Sequence, residues 1–313
     1  MKVVVTGGAG FIGANLCRRL AVTDGVDEVV AYDDLSTGFR SNLDGVEGVE
    51  LVVGDIVATD PLAEVLAGAD SVVHLAARPS VPKSIQDPMA SHVANATGTL
   101  SVLEAMRRAE VSHVVVASSS SVYGANPVLP KVETLKPSPV SPYAASKLAT
   151  EAYALAYGPS FGFDALAFRF FNVFGPLQPA GHAYAAVVPA FVSAALEGKP
   201  LPVHGDGTQT RDFTFVDSVT AVLAKVALGR IAHPEPVNLA FGSRTSLNEL
   251  IGVIEDVLGH PVEREDLPTR AGDVRDSQAD DTRLRSLVPD LEPVPLRQGV
   301  EATVDWFRAT ATV

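Results

Sequence analysis

Tyr143 and Lys147 stand four residues apart in the run SPYAASK, residues 141–147. On a helix that spacing puts both side chains on one face, so a phenol and an ammonium can enter one pocket. A free tyrosine ionises near pH ~10 and is a poor base at neutral pH. A neighbouring cation stabilises its phenolate, which can then take a proton from an alcohol or sugar hydroxyl. Tyr and Lys also meet at this spacing on ordinary surface helices, so the elements around the pair must decide its meaning.

The first of those elements opens the chain. Residues 2–5 read as a short buried strand, and TGGAGFIG, residues 6–13, turns directly into a helix beginning near Phe11. Ile12, Leu16 and Leu20 fall on its inner side, Arg18 and Arg19 on its outer side. Glycines at such a turn let backbone amides approach a pyrophosphate, and the helix start adds free N–H groups and a positive dipole end. A second strand over residues 28–32 ends at Asp33, twenty positions past Gly13. A carboxylate there accepts a hydrogen bond from an adenosine ribose and repels a 2′-phosphate, which favours NAD over NADP. Its nicotinamide ring would be a second cation beside the phenol. The alternative for Asp33 and Asp34 is a turn pair leading into Ser36, Thr37 and Gly38.

Strand and helix continue to alternate, as expected of a parallel sheet with helices on both faces. Further strands are predicted over residues 49–53, 71–75 and 113–117. Small or polar residues follow each: Gly54-Asp55-Ile56, Ala76-Ala77 after Leu75, and a run of serines. They cluster at the carboxyl ends of the strands, where open parallel sheets bind ligands. Asp55 is placed to meet the adenine amino group, whereas His74 reads as a packed core histidine. Residues 78–87, RPSVPKSIQD, are too rich in Pro and Ser to be helical throughout and read as a loop. A long helix is predicted over 90–108. On it, Asn95 is either a cofactor or water contact or a tolerated polar residue.

Composition narrows the class. The chain has 313 residues and a formal charge of −13, without the basic patch or tail expected of a nucleic-acid or anionic-membrane binder. One cysteine, Cys17, rules out an internal disulfide, suits a reducing cytoplasm and reads as a small core residue. The seven histidines lack ligand spacing, so no metal site is expected. No signal peptide or membrane span is expected either.

TGGAGFIG, YDDLSTG, GDI, HLAA, SSSSVYG, SPYAASK, FRFFNVFGP and RDFTFVD occur in the order found in the extended short-chain dehydrogenases. Over residues 1 to about 281 the chain resembles the NAD-dependent nucleotide-sugar 4-epimerases among them. The resemblance implies an α/β Rossmann-type doubly wound sheet of about seven strands and a smaller carboxyl-terminal domain. The NAD-binding domain would be 1–173 plus 212–240, and the nucleotide-sugar domain 174–211 plus 241–313. It further implies tightly held NAD, a UDP-sugar substrate, and a homodimer formed by the long helices near 90–108 and 143–157.

Residue by residue, the resemblance implies catalytic roles for Tyr143, Lys147 and Ser119. Ser119 would hydrogen-bond the reacting sugar oxygen, with Ser118 and Ser120 as neighbours one position away. Cofactor contacts are implied for Gly7, Gly10, Phe11, Ile12 and Gly13. Asp33, Asp34, Ser36, Thr37, Gly38, Asp55 and Ile56 would surround the adenosine. Leu75, Ala76, Ala77 and Asn95 would join Tyr143 and Lys147 nearer the nicotinamide. Substrate contacts are implied for Lys83, Ser119, Ser120, Tyr143, Asn172 and Val188. Val203 and His204 belong to a strand over 201–204 placed to flank uracil, followed by Gln209 and Arg211. Arg211 would be a phosphate or ribose ligand, the alternative being an ordinary ion pair with Asp212. Helices are predicted over 183–197 and 216–228, and a strand over 237–240 returning to the main sheet. In the segment 268–281, Arg270 would meet the diphosphate and Asp273 the uridine ribose; generic charged-loop behaviour is the alternative. Ser277 would lie against the hexose as a gate small enough to admit an N-acetyl group.

Related dehydratases place Asp and Glu where this chain has Ser120 and Ser121, and decarboxylases place a Glu. Elimination therefore lacks its acid and base, and the expected reaction is UDP-hexose 4-epimerisation. The glucose/galactose pair and the N-acetylated pair are the expected substrates. A UDP-uronic acid 4-epimerase, another NAD-dependent sugar-modifying enzyme, and a non-catalytic NAD-sensing protein are the alternatives.

Overall fold

A computed structural model describes residues 1–180, 186–268 and 275–310. The chain begins with β1 (Lys2–Thr6), α1 (Phe11–Leu20), β2 (Glu28–Asp33), β3 (Val49–Val53), α2 (Thr59–Leu66) and β4 (Ser71–His74). Next come α3 (Val81–Gln86), α4 (Pro88–His92), α5 (Gly98–Arg108), β5 (His113–Ser119), α6 (Pro142–Phe161) and β6 (Asp164–Phe170). β7 (Val173–Phe174), α7 (Val187–Leu196), β8 (Leu201–His204), β9 (Thr210–Arg211), β10 (Thr214–Phe215), α8 (Val216–Leu228) and β11 (Val237–Leu239) follow. The chain closes with β12 (Thr245–Ser246), α9 (Leu247–Leu258), β13 (Arg264–Leu267), α10 (Thr282–Leu287) and α11 (Leu296–Thr310).

Seven of these strands form one parallel sheet in the order β11-β6-β5-β4-β1-β2-β3. Alternation along the valine-rich strands loads both faces. Val3 and Val5 of β1 pack with Leu16, Leu20, Val222 and Leu223 on one side. Val4 packs with Leu62, Val102, Leu103 and Met106 on the other. Such strands, buried on both faces, are what helices on both sides of a parallel sheet require. A third apolar cluster joins Phe174, Phe191, Phe213, Phe215, Leu250, Ile254, Val300 and Val304 beyond the sheet's carboxyl edge. Phe11 and Ile12 at the start of α1 pack against it.

Two local expectations are corrected. Residues 81–86 form a helix within the segment read as a loop, because Pro82 falls in the first turn, where its missing N–H costs no bond. Ser80 caps that turn by accepting from Lys83 N at 3.2 Å, at a backbone φ of 127°. The next helix starts at Pro88 rather than residue 90, with Asp87 as its cap, and a π turn over Val93–Thr97 interrupts it before α5. Of the helix predicted over 183–197, residues 183–185 lie outside the described residues and α7 begins at Val187. Among the described residues no helix is long and apolar enough to cross a membrane.

Candidate active site

The glycine turn after β1 is too tight for side chains. Gly7 has a φ of +72°, and a Cβ there would lie 2.6 Å from Ala76 N; a Cβ on Gly13 would lie 2.0 Å from Gly7 O. Gly10 precedes α1 without a side-chain cap, which leaves the helix start to whatever anion approaches it. Asp33 braces this turn: its Oδ2 accepts from Ala9 N at 2.9 Å and its Oδ1 from Leu35 N at 2.8 Å. Burial raises its pKa against the pull of those amides. Asp34 accepts from the backbone and hydroxyl of Ser36, and Gly38 lies against Ala9. Thr37 lies on the same turn. Asp55 accepts from Val57 N at 2.9 Å, and Ile56 packs into the core beside Gly98. Leu75, Ala76 and Ala77 follow β4 along the other wall. This cradle fits a dinucleotide pyrophosphate with an adenosine ribose beside Asp33.

Asn95 serves the protein first. It is 1% exposed, accepts from Arg78 N at 2.7 Å and donates to Ser146 Oγ at 2.9 Å, tying the segment after β4 to α6. His74 is buried as expected between Thr6 Oγ1 and Thr99 Oγ1; burial, helped by the Lys147 charge, lowers its pKa to about 3 and keeps it neutral. Cys17 is buried in the core, and its thiol is pushed up to about 12.

The chemistry-bearing residues meet where β5 ends and α6 begins. Ser141 caps α6 by accepting from Ala144 N, and Pro142 occupies the first turn. Ser84 on α3, 0% exposed, accepts from Tyr143 N at 3.0 Å and so fixes the tyrosine backbone. Ser119 lies beside the Tyr143 hydroxyl and acts to lower its pKa. Ser119 Oγ also accepts from Ser121 N at 3.1 Å and lies 2.9 Å from Ser121 Oγ, with Ser120 on the intervening turn. Lys147 Nζ donates to Ala117 O at 2.9 Å, and burial lowers its pKa to about 8. Lys147 was expected to lower the tyrosine pKa. In the chain alone, burial instead raises Tyr143 above its ordinary value, with Ser119 opposing the rise. Desolvation outweighs the pull of Ser119.

Beneath this trio lies a polar network that the sequence reading missed. Arg169 on β6 donates from Nη2 to Glu151 Oε1 at 2.6 Å and from Nε to Oε2 at 2.9 Å. Ser118 Oγ donates to the same carboxylate at 2.8 Å. The Tyr123 ring stacks 4.7 Å from the guanidinium, and its hydroxyl donates to Asn238 Oδ1 at 2.7 Å. An Arg inside the apolar strand ALAFRF, and a Glu four residues after Lys147, were its signals.

A cleft of about 230 Å³ is lined by Asn172, Phe174, Val188, Phe191, His204, Gln209, Arg211, Phe213 and Leu247 among others. It unites five of the expected substrate residues and adds an apolar floor from separate elements that no local motif marks. His204 Nδ1 donates to Pro268 O at 2.9 Å, and Arg211 Nη1 donates to Thr210 O and Arg275 O. Asp212, the alternative ion-pair partner, turns inward to Ser243 Oγ and Ala279 N. Val203 is corrected: at 0% exposure it packs into the third cluster, because alternation along β8 sends Pro202 and His204 to the cleft. Lys83 lies on α3, and Ser277 follows Asp276, its amide donating to Thr210 O at 3.1 Å. Arg270 and Asp273 lie outside the described residues.

A seven-stranded parallel sheet, a glycine cradle ending on Asp33, and a Tyr-Lys pair beside a serine define a Rossmann-type nucleotide-binding protein of the short-chain dehydrogenase class. The profile of the NAD dependent epimerase/dehydratase family matches residues 3–240, and the chain belongs to that family. It is 40% identical over 314 residues to the UDP-glucose 4-epimerase of Mycolicibacterium smegmatis, covering 98% of this chain and 99% of that one. A solved structure of a UDP-N-acetylglucosamine 4-epimerase from Methanobrevibacter ruminantium, in complex with UDP-N-acetylmuramic acid, superposes with a TM-score of 0.92 at 35% identity, covering 99% and 98% of the two chains. A UDP-glucuronic acid 4-epimerase from Bacillus cereus, in complex with UDP-glucuronic acid and NAD, superposes with a TM-score of 0.89 at 31% identity, covering 99% and 100%.

Proposed function

We propose that this chain is a UDP-hexose 4-epimerase, acting on the glucose/galactose pair and on the N-acetylated pair by transient oxidation at sugar carbon 4. The observation that carries the reading is that α6 sets Tyr143 against Ser119 and Lys147 against Ala117 at the end of β5, with Ser120 and Ser121 next in the chain. NAD bound in the glycine cradle would supply the hydride acceptor and donor that inversion without net redox requires. Tyr143 Oη takes the proton from the 4-hydroxyl and later returns it. Ser119 Oγ steadies the sugar oxygen, and Lys147 Nζ would hold the nicotinamide ribose and add its charge to the site. Asn172, His204, Gln209 and Arg211 anchor the uridine diphosphate while the hexose turns over. Serines at 120 and 121 cannot provide the further acid or base that elimination or decarboxylation needs, which sets those reactions behind epimerisation.

Carboxylated sugars are expected to be poor substrates. The uronic acid epimerases that this chain resembles carry an Arg where it has Pro82; of the two nearby cations that could serve instead, Arg78 is engaged with Asp87 at 3.4 Å and Lys83 lies on α3. Ile85, Met89 and Val93, exposed at 61%, 68% and 41%, lie on segments packed against α6, whose Tyr153 is also exposed, and support a homodimer through these helices. We further read residues 1–173 plus 212–240 as the cofactor domain, 174–211 plus 241–313 as the substrate domain, and the location as cytoplasmic.

The test is to incubate purified protein with UDP-glucose, UDP-N-acetylglucosamine and UDP-glucuronate and resolve the products by chromatography. Turnover of the first two is expected, and a preference for UDP-glucuronate or a dehydrated product would overturn the reading. Ser277→Tyr, on backbone pinned to Thr210, is expected to cut activity on acetylated sugars far more than on UDP-galactose. Equal losses would show that Ser277 is not the gate.

A further inference from the structure

Lys147 and Glu151 lie one helical turn apart on the buried stripe of α6, which also includes Ala144, Thr150 and Ala154. At that spacing a lysine and a carboxylate ordinarily pair. Here they do not: both oxygens of Glu151 are taken by Arg169, Ser118 adds a third bond, and Lys147 Nζ goes to a backbone carbonyl. Ser118 spans the two, its hydroxyl lying 2.8 Å from Glu151 Oε2 and 3.4 Å from Lys147 O.

We propose that Arg169 is a positioning residue for Lys147: by holding the Glu151 carboxylate, it leaves the lysine charge uncompensated and directed at Tyr143 and the cofactor. The inference rests on the epimerase reading of that trio. An isolated cation stabilises a phenolate, whereas a lysine already paired with a carboxylate presents little net charge to it.

The other groups around Lys147 leave this balance in place. His74 on β4 is held neutral by burial, and Tyr123, on the turn after β5, is raised by burial. From α3 and α4, the elements packed near the start of α6, the charged or titratable residues are Lys83, Asp87 and His92. Glu104 and Arg107 of α5 meet the opposite end of α6 at Tyr157. Arg169 and Glu151 are 2% and 6% exposed in their side chains, so bulk water does not screen their exchange. A buried ion pair is weak evidence for stability as such, which makes its effect on a neighbouring charge the more telling measurement.

The experiment compares the NAD-loaded unmutated protein, Arg169→Gln, and the double variant Glu151→Gln with Arg169→Gln. Tyr143 ionisation is read as the tyrosinate absorbance lost on adding Tyr143→Phe to each background, alongside the pH profile of kcat/KM. Freed in Arg169→Gln, Glu151 pairs with Lys147, so both the tyrosinate titration and the acid limb of the profile should move up by about one pH unit. The double variant, whose carboxylate is gone, should return both to the unmutated position even if it melts lower. If Arg169→Gln does not fold, Ser118→Ala, which removes one of the three bonds on Glu151, should give a smaller shift of the same sign. An unmoved titration in whichever single variant folds, or a double variant shifted as far as the single, would overturn the proposal. Failure of the epimerase reading would look different: no turnover by the unmutated protein, or turnover that survives Tyr143→Phe.

Discussion

The two ends of the candidate site are assembled by different means. The dinucleotide end is local: Gly7, Gly10 and Gly13 lie within one turn, and Asp33 closes it from the end of the adjacent strand β2. The substrate end is composite. Asn172 follows β6, Val188 sits on α7, His204 ends β8 and Arg211 lies on β9. Long-range bonds hold these segments together, such as Asp276 Oδ1 with Thr210 and Asp212 Oδ2 with Ala279 N. A local cradle leaves almost no freedom to substitute. A composite cleft can change its side chains while its frame stays, which is how one fold accommodates different nucleotide sugars.

Gly13→Val tests the first half of that contrast and should have the largest effect. The added Cβ would meet Gly7 O at 2.0 Å, and that atom is backbone with no room to move away. The variant should purify without NAD, as measured by nucleotide released on acid precipitation, and show no turnover. Full cofactor content would mean that the cradle is looser than its geometry implies. Tyr143→Phe should come next. It keeps the ring, the bond from its backbone N–H to Ser84 and the cradle, so NAD content should be unchanged while turnover falls by about a thousandfold. Activity close to that of the unmutated protein would move the base elsewhere.

The same contrast explains what the sequence disclosed. Residues 6–13, Asp33 and the Tyr143-Lys147 pair were legible because each sits in one unbroken pattern whose spacing carries the geometry. Strand and helix bounds such as β3, β8 and α8 were legible from runs of apolar residues between turns. Local composition misled at Pro82, where proline opens a helix instead of ending one. It also gave no sign that Val203 points to the core, since the face of a short strand is decided by what packs against it. Arg169, Glu151 and Ser84 were hidden for the same reason. Their partners are 18, 33 and 59 positions away, and only the fold brings them together. The raised pKa of Tyr143 could not be read from spacing either, because desolvation depends on everything around the phenol.

The smallest expected effect concerns stability and sharpens the comparison from the substrate side. Asp212 is 0% exposed, and its carboxylate joins two distant segments by accepting from Ser243 Oγ at 2.8 Å and Ala279 N at 3.0 Å. Desolvation outweighs these bonds and raises its pKa from 3.8 to about 6. The folded chain therefore holds this proton more tightly than the unfolded chain. The stabilisation this group contributes is complete below about pH 4 and is lost as pH rises through about 6, an upper bound of roughly 3 kcal/mol. Asp212→Asn removes the charge but keeps the joint: the amide oxygen accepts from Ala279 N, and the amide nitrogen donates to Ser243 Oγ, whose hydroxyl can turn. The variant should melt a few degrees higher than the unmutated protein at neutral pH, with the gap closing between about pH 6 and pH 4. NAD content should not change, because the cradle lies on the other side of the contrast. A variant that melts lower at every pH, with the pH dependence intact, would mean that the ionised carboxylate is the better clasp and that its hydrogen bonds outweigh its burial.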